Sequence, residues 1–202
     1  EDREYVCTID ELENEQVRAK IEDVNGVAKE LPIKVTLFQA LPKGDKMETV
    51  IQKMIELGAY EIVPVFTKRC IVKLDNKKAV SKTKRWNSIA ESAAKQSKRG
   101  IIPKVSMPVT YKEALKMAEA MDMVLIPYEN AENMAHTRQV VSQIKTGMTV
   151  GIFIGPEGGF AEEEVEQAIN IGAYDITLGK RILRTETAGM ALMSVLMFET
   201  EE

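Results

Sequence analysis

Two short segments near the carboxyl terminus carry the residue types best suited to holding a small ligand. The first, which we call the glycine loop, is Gly155-Pro156-Glu157-Gly158-Gly159-Phe160 and follows an apolar stretch. Its paired glycines permit positive φ and a close approach of backbone to a ligand, and its proline stiffens the entry. The loop lacks the GxGxxG spacing of a dinucleotide fingerprint. A glycine pair at this point is compatible with a ligand loop or with a purely structural turn.

The second segment, residues 178–188, places two arginines beside an apolar pair, and we call it the arginine segment. Arg181 and Arg184 flank Ile-Leu, and a guanidinium in such a loop can orient an anionic group or an electron-rich base. Thr185 or Thr187 can also cap the helix that follows. The polar residues of this segment therefore have both a functional and a structural explanation.

Metal, disulfide and membrane chemistry find little support in the chain. A single histidine, His136, excludes a multi-histidine metal centre and has no carboxylate spaced to form a triad. Cys7 and Cys70 lie far apart and form no CxxC pair, so we expect no metal and a reducing cytoplasm. The longest apolar run, residues 188–198, is shorter than the ~18 residues that a membrane span needs.

Basic residues are concentrated in one part of an acidic chain. The formal net charge is −4, yet residues 68–104 contain twelve Lys or Arg against two acidic residues. A segregated basic segment suggests a surface that faces a polyanion. A solvated helix face accounts for the same charges equally well, so charge alone leaves both interpretations open.

Strands and helices alternate along most of the chain and would position these segments. Apolar, β-rich stretches predict strands at 33–39, 62–66, 123–127, 150–154 and 175–178. Helical periodicity predicts helices at 45–58, 82–98, 111–120, 134–144, 162–171 and 185–198. This alternation is typical of one α/β domain with a mostly parallel sheet, over residues 31–202. Ligand sites of such folds lie at the carboxyl ends of the strands, where the glycine loop and the arginine segment fall.

Three local patterns give further expectations. Asp45 with Glu48 three residues later predicts a capping box at the start of the first helix. The last helix is apolar nearly all round, which predicts burial on more than one side, either in a dimer interface or deep in the monomer. At the amino terminus, Asn25-Gly26 predicts a hairpin turn between strands at 17–24 and 27–31, the last strands of a small β domain.

The glycine loop and the arginine segment, taken together, resemble those of the SPOUT (α/β-knot) methyltransferases. Within these the chain is similar to the RsmE family, which methylates N3 of a uridine in 16S ribosomal RNA of the small ribosomal subunit. The resemblance also includes the stretch QALPKGDKME at 39–48, Arg69-Cys70 and parts of 85–99. It covers about residues 31–198, most of the chain.

This resemblance implies a fold more specific than the α/β class. The family's sheet is closed by a trefoil knot, here expected at about 123–198, which is a rare exception to the rule against threaded chains. A PUA-like RNA-binding β domain precedes the methyltransferase domain in the family. Residues 1–30 would be the carboxyl-terminal remnant of that domain, and 31–202 the SPOUT domain.

The resemblance also implies a cofactor, S-adenosylmethionine (AdoMet), bound in the knot between three loops. The residues expected to hold it are Ile126, Pro127, Ile154, Gly155, Glu157, Gly158, Gly159, Leu178, Gly179, Ile182, Leu183 and Thr187. Arg184 is the candidate catalytic residue, because a guanidinium near the uridine would stabilise the anion formed when N3 loses its proton. Glu186 is a candidate proton acceptor and equally a helix-capping residue.

The family's partners follow from the same resemblance. We expect a cytoplasmic homodimer, joined through the knot region and the last helix, that acts on 16S rRNA without a metal or a membrane. Basic residues expected to contact RNA phosphates are Lys43, Lys46, Arg69, Lys84, Arg85, Lys98 and Arg99.

Three other functions are weighed against this one. A related branch methylates ribose 2′-OH groups, but typically has an Asn-Glu glycine loop and a Ser-Asn-rich last motif, where this chain has Pro156-Glu157 and Arg-Thr-Glu-Thr at 184–187. A non-catalytic RNA-binding or ribosome-assembly protein on the same scaffold is disfavoured by the intact loops. A nucleotide-dependent oxidoreductase on an open Rossmann sheet is disfavoured by the missing fingerprint.

Overall fold

The computed structural model describes residues 3–26, 29–131 and 133–201. The strands are β1 (Arg3–Leu12), β2 (Val17–Gly26), β3 (Lys34–Ala40), β4 (Glu61–Phe66), β5 (Lys104–Val105), β6 (Val109–Thr110), β7 (Met123–Pro127), β8 (Thr149–Ile154) and β9 (Tyr174–Ile176). The helices are α1 (Lys46–Glu56), α2 (Asn76–Gln96), α3 (Tyr111–Ala118), α4 (Met134–Val141), α5 (Glu162–Asn170) and α6 (Thr185–Thr200).

The main sheet has seven strands in the order β5-β4-β3-β8-β7-β9, with β6 also paired to β4. All of these pairings are parallel. The predicted α/β fold with a mostly parallel sheet is therefore confirmed. Strand order alone does not test the trefoil knot expected at about 123–198, which stays a prediction.

Helices cover both faces of this sheet. Successive side chains of a strand point to opposite faces, so each central strand contributes to two cores. On one face, Leu37 and Ile152 pack in a core that includes residues of α1, α2, α4 and α6. On the other face, Phe38 and Phe153 stack with ring centroids 4.5 Å apart, against α3 and α5. Both faces of the central strands are buried, which explains their nearly continuous apolar sequences.

The starts of α1 and α2 differ from the sequence predictions, because nearby side chains form hydrogen bonds and ion pairs that the predictions did not include. The Asp45 carboxylate makes no capping bond to the described residues, and Glu48 instead pairs with Arg85 of α2, Oε1 to Nε 2.7 Å. The predicted capping box at α1 is thus wrong. Helix α2 begins at Asn76, six residues before the predicted start at 82, because the Asp75 carboxylate accepts a hydrogen bond from Lys78 N at 2.8 Å.

The amino-terminal strands form a separate antiparallel pair, β1 with β2. Their turn lies at 13–16, where Glu13 N donates to Gln16 O at 2.9 Å, and β2 runs on through Asn25-Gly26. The predicted hairpin turn at Asn25-Gly26 is therefore wrong, and part of its predicted second strand, Val27 and Ala28, lies outside the described residues. The large apolar side chains of this pair are exposed: Tyr5, Val6, Ile9, Leu12, Val17, Ile21 and Val24.

The last helix, α6, is covered by the chain on one side. Gly189, Leu192 and Leu196 are buried against the sheet and α1, where an added Cβ on Gly189 would lie 3.5 Å from Met54 Sδ. On the outer side Val195 is exposed and Phe198 is 82% exposed. The described chain therefore leaves one apolar face of this helix uncovered.

Candidate functional site

Three neighbouring strands bring the predicted ligand segments to one edge of the sheet. Strands β8, β7 and β9 are adjacent and parallel, so their carboxyl ends at Ile154, Pro127 and Ile176 lie side by side. The segments that follow them enclose a cavity of about 970 Å³. This volume lies within the range of small-molecule and cofactor sites, which reach about 1,000 Å³.

Most residues expected to hold a cofactor line this cavity. They are Pro127, Ile154, Gly155, Glu157, Gly158, Gly159, Leu178, Gly179, Ile182 and Leu183. Two residues lie elsewhere: Ile126 is fully buried in the core beneath α3 and α5, and Thr187 is exposed outside the described cavity lining. The shared cavity is an observation, whereas a role for these residues in cofactor binding stays a prediction.

The strand predicted at 175–178 ends two residues earlier in the structure, and this adds two residues to the loop that lines the cavity. Strand β9 stops at Ile176, so Thr177 and Leu178 belong to the loop and line the cavity. Gly179 has φ +108°, in the left-handed region that favours glycine. The chain turns there to bring the two arginines to the same wall.

The glycine loop folds tightly on itself. Gly159 has φ +67°, and its N–H donates to Pro156 O at 2.9 Å. An added Cβ on Gly155 would lie 3.3 Å from Gly159 C and from Phe160 N. Glycine is therefore favoured at 159 because of the positive φ, and at 155 because a Cβ has too little room. The loop presents its backbone to the cavity.

Glu157 is held by the loop between β3 and α1. Its Oε1 accepts hydrogen bonds from Lys43 N at 3.0 Å and from Lys46 Nζ at 3.3 Å. Lys46 Nζ also lies 3.3 Å from Glu186 Oε2 at the start of α6. One ammonium thus joins the glycine loop to the last helix at the edge of the cavity.

These contacts hold the pKa of Glu157 below its usual value. Partial burial would raise the pKa, but hydrogen bonds from its own N–H and from Lys43, together with the Lys46 ammonium, outweigh that effect. A carboxyl with a lowered folded-state pKa stabilises the fold above its unfolded-state value of about 4.3, and this contribution disappears as the pH falls through the folded-state pKa.

We therefore expect Glu157→Gln to lower the free energy of unfolding at neutral pH and to matter less in acid. Chemical denaturation at pH 7 and at about pH 3 measures the difference between wild type and variant. The difference should shrink at the lower pH, since the wild-type carboxyl is then increasingly protonated. A difference that stays constant over this range would contradict the assigned ion pair.

The loop after β4 holds the other side of the glycine loop. Arg69 Nη1 donates to Gly158 O at 2.9 Å. Next to it, Lys68 N donates to Glu164 Oε1 at 2.7 Å, and Glu164 Oε2 accepts from Ala161 N at 2.9 Å. Sequence reasoning missed the buried Glu164, which lies three residues after the N-cap Ala161; because alanine has no side-chain acceptor, the pair lacks the Ser/Thr signature of a capping box.

Arg184 combines an exposed side chain with a structural backbone. It is the N-cap residue of α6, and its carbonyl oxygen accepts from Thr187 N at 2.8 Å and from Ala188 N at 2.9 Å. The residue lines the cavity, and its exposed side chain makes no capping bond to the described residues. The side chain is therefore available to a ligand while the helix start depends on the backbone.

Six of the seven basic residues expected at RNA phosphates fall into two groups. Lys43, Lys84 and Lys98 are exposed. Lys46, Arg69 and Arg85 bind groups within the chain, at Glu157 and Glu186, at Gly158 O and at Glu48 respectively, although Arg69 and Arg85 remain exposed.

Arg99 departs from the expectation. Its side chain is 4% exposed, forms an ion pair with Glu30 and donates from Nη1 to Ile55 O at 3.2 Å. The guanidinium joins Glu30, four residues before β3, to the end of α1. Because the guanidinium is buried in these contacts, the structure gives no support to an RNA contact at Arg99, which stays a prediction.

Two kinds of feature are absent from residues 3–26, 29–131 and 133–201. Across these ranges, no helix is long and apolar enough to cross a bilayer. In the same ranges, no three His, Cys, Asp or Glu side chains come together as a group able to hold a metal ion.

Comparison with known proteins gives one consistent result. A family model described as an RNA methyltransferase domain matches residues 29–197. Ribosomal RNA small subunit methyltransferase E of Bacillus subtilis (strain 168) is 37% identical over 201 residues, covering 98% of this chain and 78% of the relative. The protein of that name from Mesomycoplasma hyopneumoniae (strain 232) is 40% identical over 161 residues, 80% of this chain and 68% of the relative.

A solved structure extends this likeness to the fold. The crystal structure of ribosomal RNA small subunit methyltransferase E from Neisseria gonorrhoeae, bound to S-adenosyl methionine, superposes with a TM-score of 0.82. The two sequences are 34% identical, and the match covers 98% of this chain and 79% of that one. The resemblance inferred from the glycine loop and the arginine segment is thereby confirmed, and the chain belongs to the RNA methyltransferase family, among the ribosomal RNA small subunit methyltransferases E.

Proposed function

We propose that this chain transfers the methyl group of AdoMet to N3 of a uridine in 16S rRNA. The observation that carries this proposal is the single cavity at the carboxyl ends of β7, β8 and β9, lined by both the glycine loop and the arginine segment. The family membership and the bound S-adenosyl methionine of the Neisseria gonorrhoeae relative support the same assignment.

The cavity suits AdoMet in its size and in its lining. The tight packing at Gly155 keeps side chains out of the glycine loop, so backbone N–H and C=O groups can meet the polar edges of an adenosine. Apolar Ile154, Leu178 and Leu183 on the same walls can cover its rings. When bound, AdoMet supplies a methyl group on a positively charged sulfur, ready for in-line transfer.

The chain's own residues then have to prepare the uridine. N3 of uridine carries a proton at neutral pH, and its removal leaves a negative charge spread over the neighbouring carbonyl oxygens. Arg184 lines the cavity and its side chain makes no capping bond to the described residues, which supports a role for its guanidinium in stabilising that charge. Orientation of the two reactants accounts for much of the remaining rate gain.

Glu186 fits a structural role better than that of proton acceptor. Its carboxylate lies 3.3 Å from the Lys46 ammonium in the first turn of α6, where a negative charge also favours the helix dipole. A carboxylate held in this way stabilises the site.

Methylation of 16S rRNA with isotopically labelled AdoMet tests this proposal. We expect label in 3-methyluridine after nuclease digestion and chromatography of the product nucleosides. Label in a 2′-O-methylated nucleoside would favour the ribose-methylating branch. An unlabelled RNA that nevertheless binds the protein would favour the non-catalytic assembly protein.

Exposed lysines support a phosphate-binding surface for this substrate. Lys43 precedes α1, and Lys84 and Lys98 lie on α2 or just after it. These two helices share one face of the sheet. We infer that the RNA backbone crosses this face, with the uridine directed to the cavity.

The combined replacement of Lys43, Lys84 and Lys98 by alanine should weaken RNA binding for all sequences alike. Each lost phosphate contact is expected to reduce the slope of log affinity against log salt concentration by about 1. Filter binding or fluorescence anisotropy between low and physiological salt measures this slope. Lys116→Ala on α3, on the opposite face of the sheet, is the control and should keep the wild-type slope.

We further propose a cytoplasmic homodimer with the domain boundary near residue 30 and the knot at about 123–198. The uncovered face of α6, with Val195 and Phe198 exposed, supports a dimer through that helix. Ile182 of the arginine segment is 87% exposed, which suits an interface next to the cavity. The exposed apolar side chains of β1 and β2 support assignment of residues 1–30 to a different domain.

A further inference from the structure

A buried polar side chain lies beneath the proposed cofactor site and has no role so far. Gln39, near the carboxyl end of β3, is completely buried. Its Nε2 donates to Thr185 Oγ1 at 2.9 Å and to Ala40 O at 3.0 Å. Burial of an amide costs free energy unless it is hydrogen-bonded, so core packing alone does not explain a glutamine here.

The hydrogen bonds continue from Thr185 to the glycine loop. Thr185 Oγ1 donates to Gly155 O at 2.6 Å. A hydroxyl has one proton to donate, and here it goes to Gly155, so Oγ1 acts as the acceptor for Gln39. The two bonds therefore have a defined direction, from Gln39 through Thr185 to Gly155, which we call the Gln39 relay.

The Gln39 relay joins three parts of the site that are distant in sequence. Gln39 lies on β3, Gly155 follows β8, and Thr185 begins α6 directly after Arg184. Gly155 and Thr185 both line the cavity. Hydrogen bonds in a buried, low-dielectric setting are stronger and hold groups more rigidly than those in water.

Stability alone does not account for glutamine at this position. The Gln39 Oε1 atom is buried and finds no hydrogen-bond partner among the described residues. An unsatisfied buried carbonyl costs free energy that an apolar side chain would avoid. The donor function of the amide is therefore the feature that the position uses.

We propose that Gln39 is a positioning residue for the AdoMet site. Through Thr185 it orients the Gly155 carbonyl and holds the start of α6, on which Arg184 lies. This inference rests on the proposed function, because it assigns the relay to the cofactor cavity.

Replacement of each relay residue, with AdoMet affinity as the readout, tests this role. Gln39→Met keeps a similar shape without the donor, and Thr185→Val removes the hydroxyl. Each is expected to weaken AdoMet binding about five- to tenfold by titration calorimetry. Thr185→Ser keeps the hydroxyl and should bind as wild type does. The double variant should be no weaker than the worse single variant, since both break the same relay.

A structural control separates positioning from a general loss of stability. Asn87 on α2 is a partly buried amide outside the described cavity lining; its Nδ2 donates to Val105 O at 2.8 Å, and its Oδ1 accepts from Val105 N at 3.1 Å. Asn87→Leu should lower the melting temperature and leave the AdoMet dissociation constant unchanged.

The outcomes distinguish this role from the proposed function. If Gln39→Met and Thr185→Val lower the melting temperature yet bind AdoMet as Asn87→Leu does, the relay is only structural and the proposal is overturned. If the unaltered chain binds no AdoMet, the proposed function itself fails, and the relay's role fails with it. Weaker binding in both relay variants, with recovery in Thr185→Ser, supports it.

Discussion

Replacing Arg184 with alanine is expected to lower kcat for methyl transfer by about 100- to 1000-fold, the range found for loss of one charge-stabilising donor. The AdoMet dissociation constant and the melting temperature should change little. The reason is structural: the α6 start uses the backbone carbonyl of Arg184, which alanine retains, and the guanidinium makes no capping bond to the described residues. Single-turnover transfer from labelled AdoMet to 16S rRNA measures the effect.

Two further variants make this result specific. Arg184→Lys keeps the charge but loses the planar pair of donors, so it should recover only part of the rate. Arg138→Ala removes an exposed arginine of α4 that does not line the described cavity, and it should transfer methyl groups normally. If Arg184→Ala transfers methyl groups at the normal rate and only RNA binding weakens, Arg184 is a phosphate contact and the catalytic assignment is wrong.

Gly155→Ala is expected to weaken AdoMet binding by about tenfold. The added Cβ would lie 3.3 Å from two backbone atoms, Gly159 C and Phe160 N, so the loop must shift to make room. Overpacking of this kind costs roughly 1 to 3 kcal/mol. Because Gly155 lines the cavity, part of that cost should be expressed as lost affinity. Titration calorimetry with AdoMet, using NADH as a control ligand, measures it.

A second glycine provides the matched comparison. Gly26 ends β2, and an added Cβ there would meet no atom within 4 Å among the described residues. Gly26→Ala should therefore bind AdoMet with the wild-type affinity. Equal dissociation constants for Gly155→Ala and Gly26→Ala would show that the glycine loop does not form the cofactor wall. Binding of NADH by the unaltered chain would instead support a nucleotide-dependent oxidoreductase.

Contacts to the glycine loop also link the proposed cofactor and RNA sites. Arg69 and Lys46, both expected to meet RNA phosphates, bind Gly158 O and Glu157 on adjacent residues of that loop. Any RNA phosphate that draws either cation away would release a contact to the loop. Arg69 and Lys46 therefore hold the glycine loop and are also candidates for RNA phosphate contacts.

Most strands of the sheet can be predicted from the sequence, because the signals for a strand lie within a few consecutive residues. Strands β3, β4, β7 and β8 are short, apolar and bounded by polar or glycine residues, so composition and length suffice to find them. The predicted start of α2 at 82 is too late, because Asp75 caps the helix at Asn76, and an aspartate before a helix is a signal that the sequence does contain. The predicted turn at Asn25-Gly26 is wrong, because a turn-forming dipeptide is also tolerated at the end of a strand.

The roles of individual charged and polar residues were not decided by such patterns. In the sequence Arg99 is one of many cations in a basic segment, yet in the structure it pairs with Glu30, which is 69 residues away along the chain. Gln39 reads as a polar residue at a strand end, yet its partner Thr185 is 146 residues away. Composition and spacing report which groups a segment carries, whereas the partner of each group depends on how distant segments pack.

By itself, the sequence determined the α/β class, the family and the two segments that line the cavity. Periodicity and turn chemistry act over a few residues, and the family's motifs are contiguous, so both can be read along the chain. Only the tertiary structure decided that Glu157 contacts Lys43 and Lys46, that the Arg99 side chain is buried, and that Gln39 donates to Thr185, which donates to Gly155 O. These contacts join segments brought together by the parallel sheet, and a buried hydrogen bond or ion pair exists only when that packing places both partners within reach.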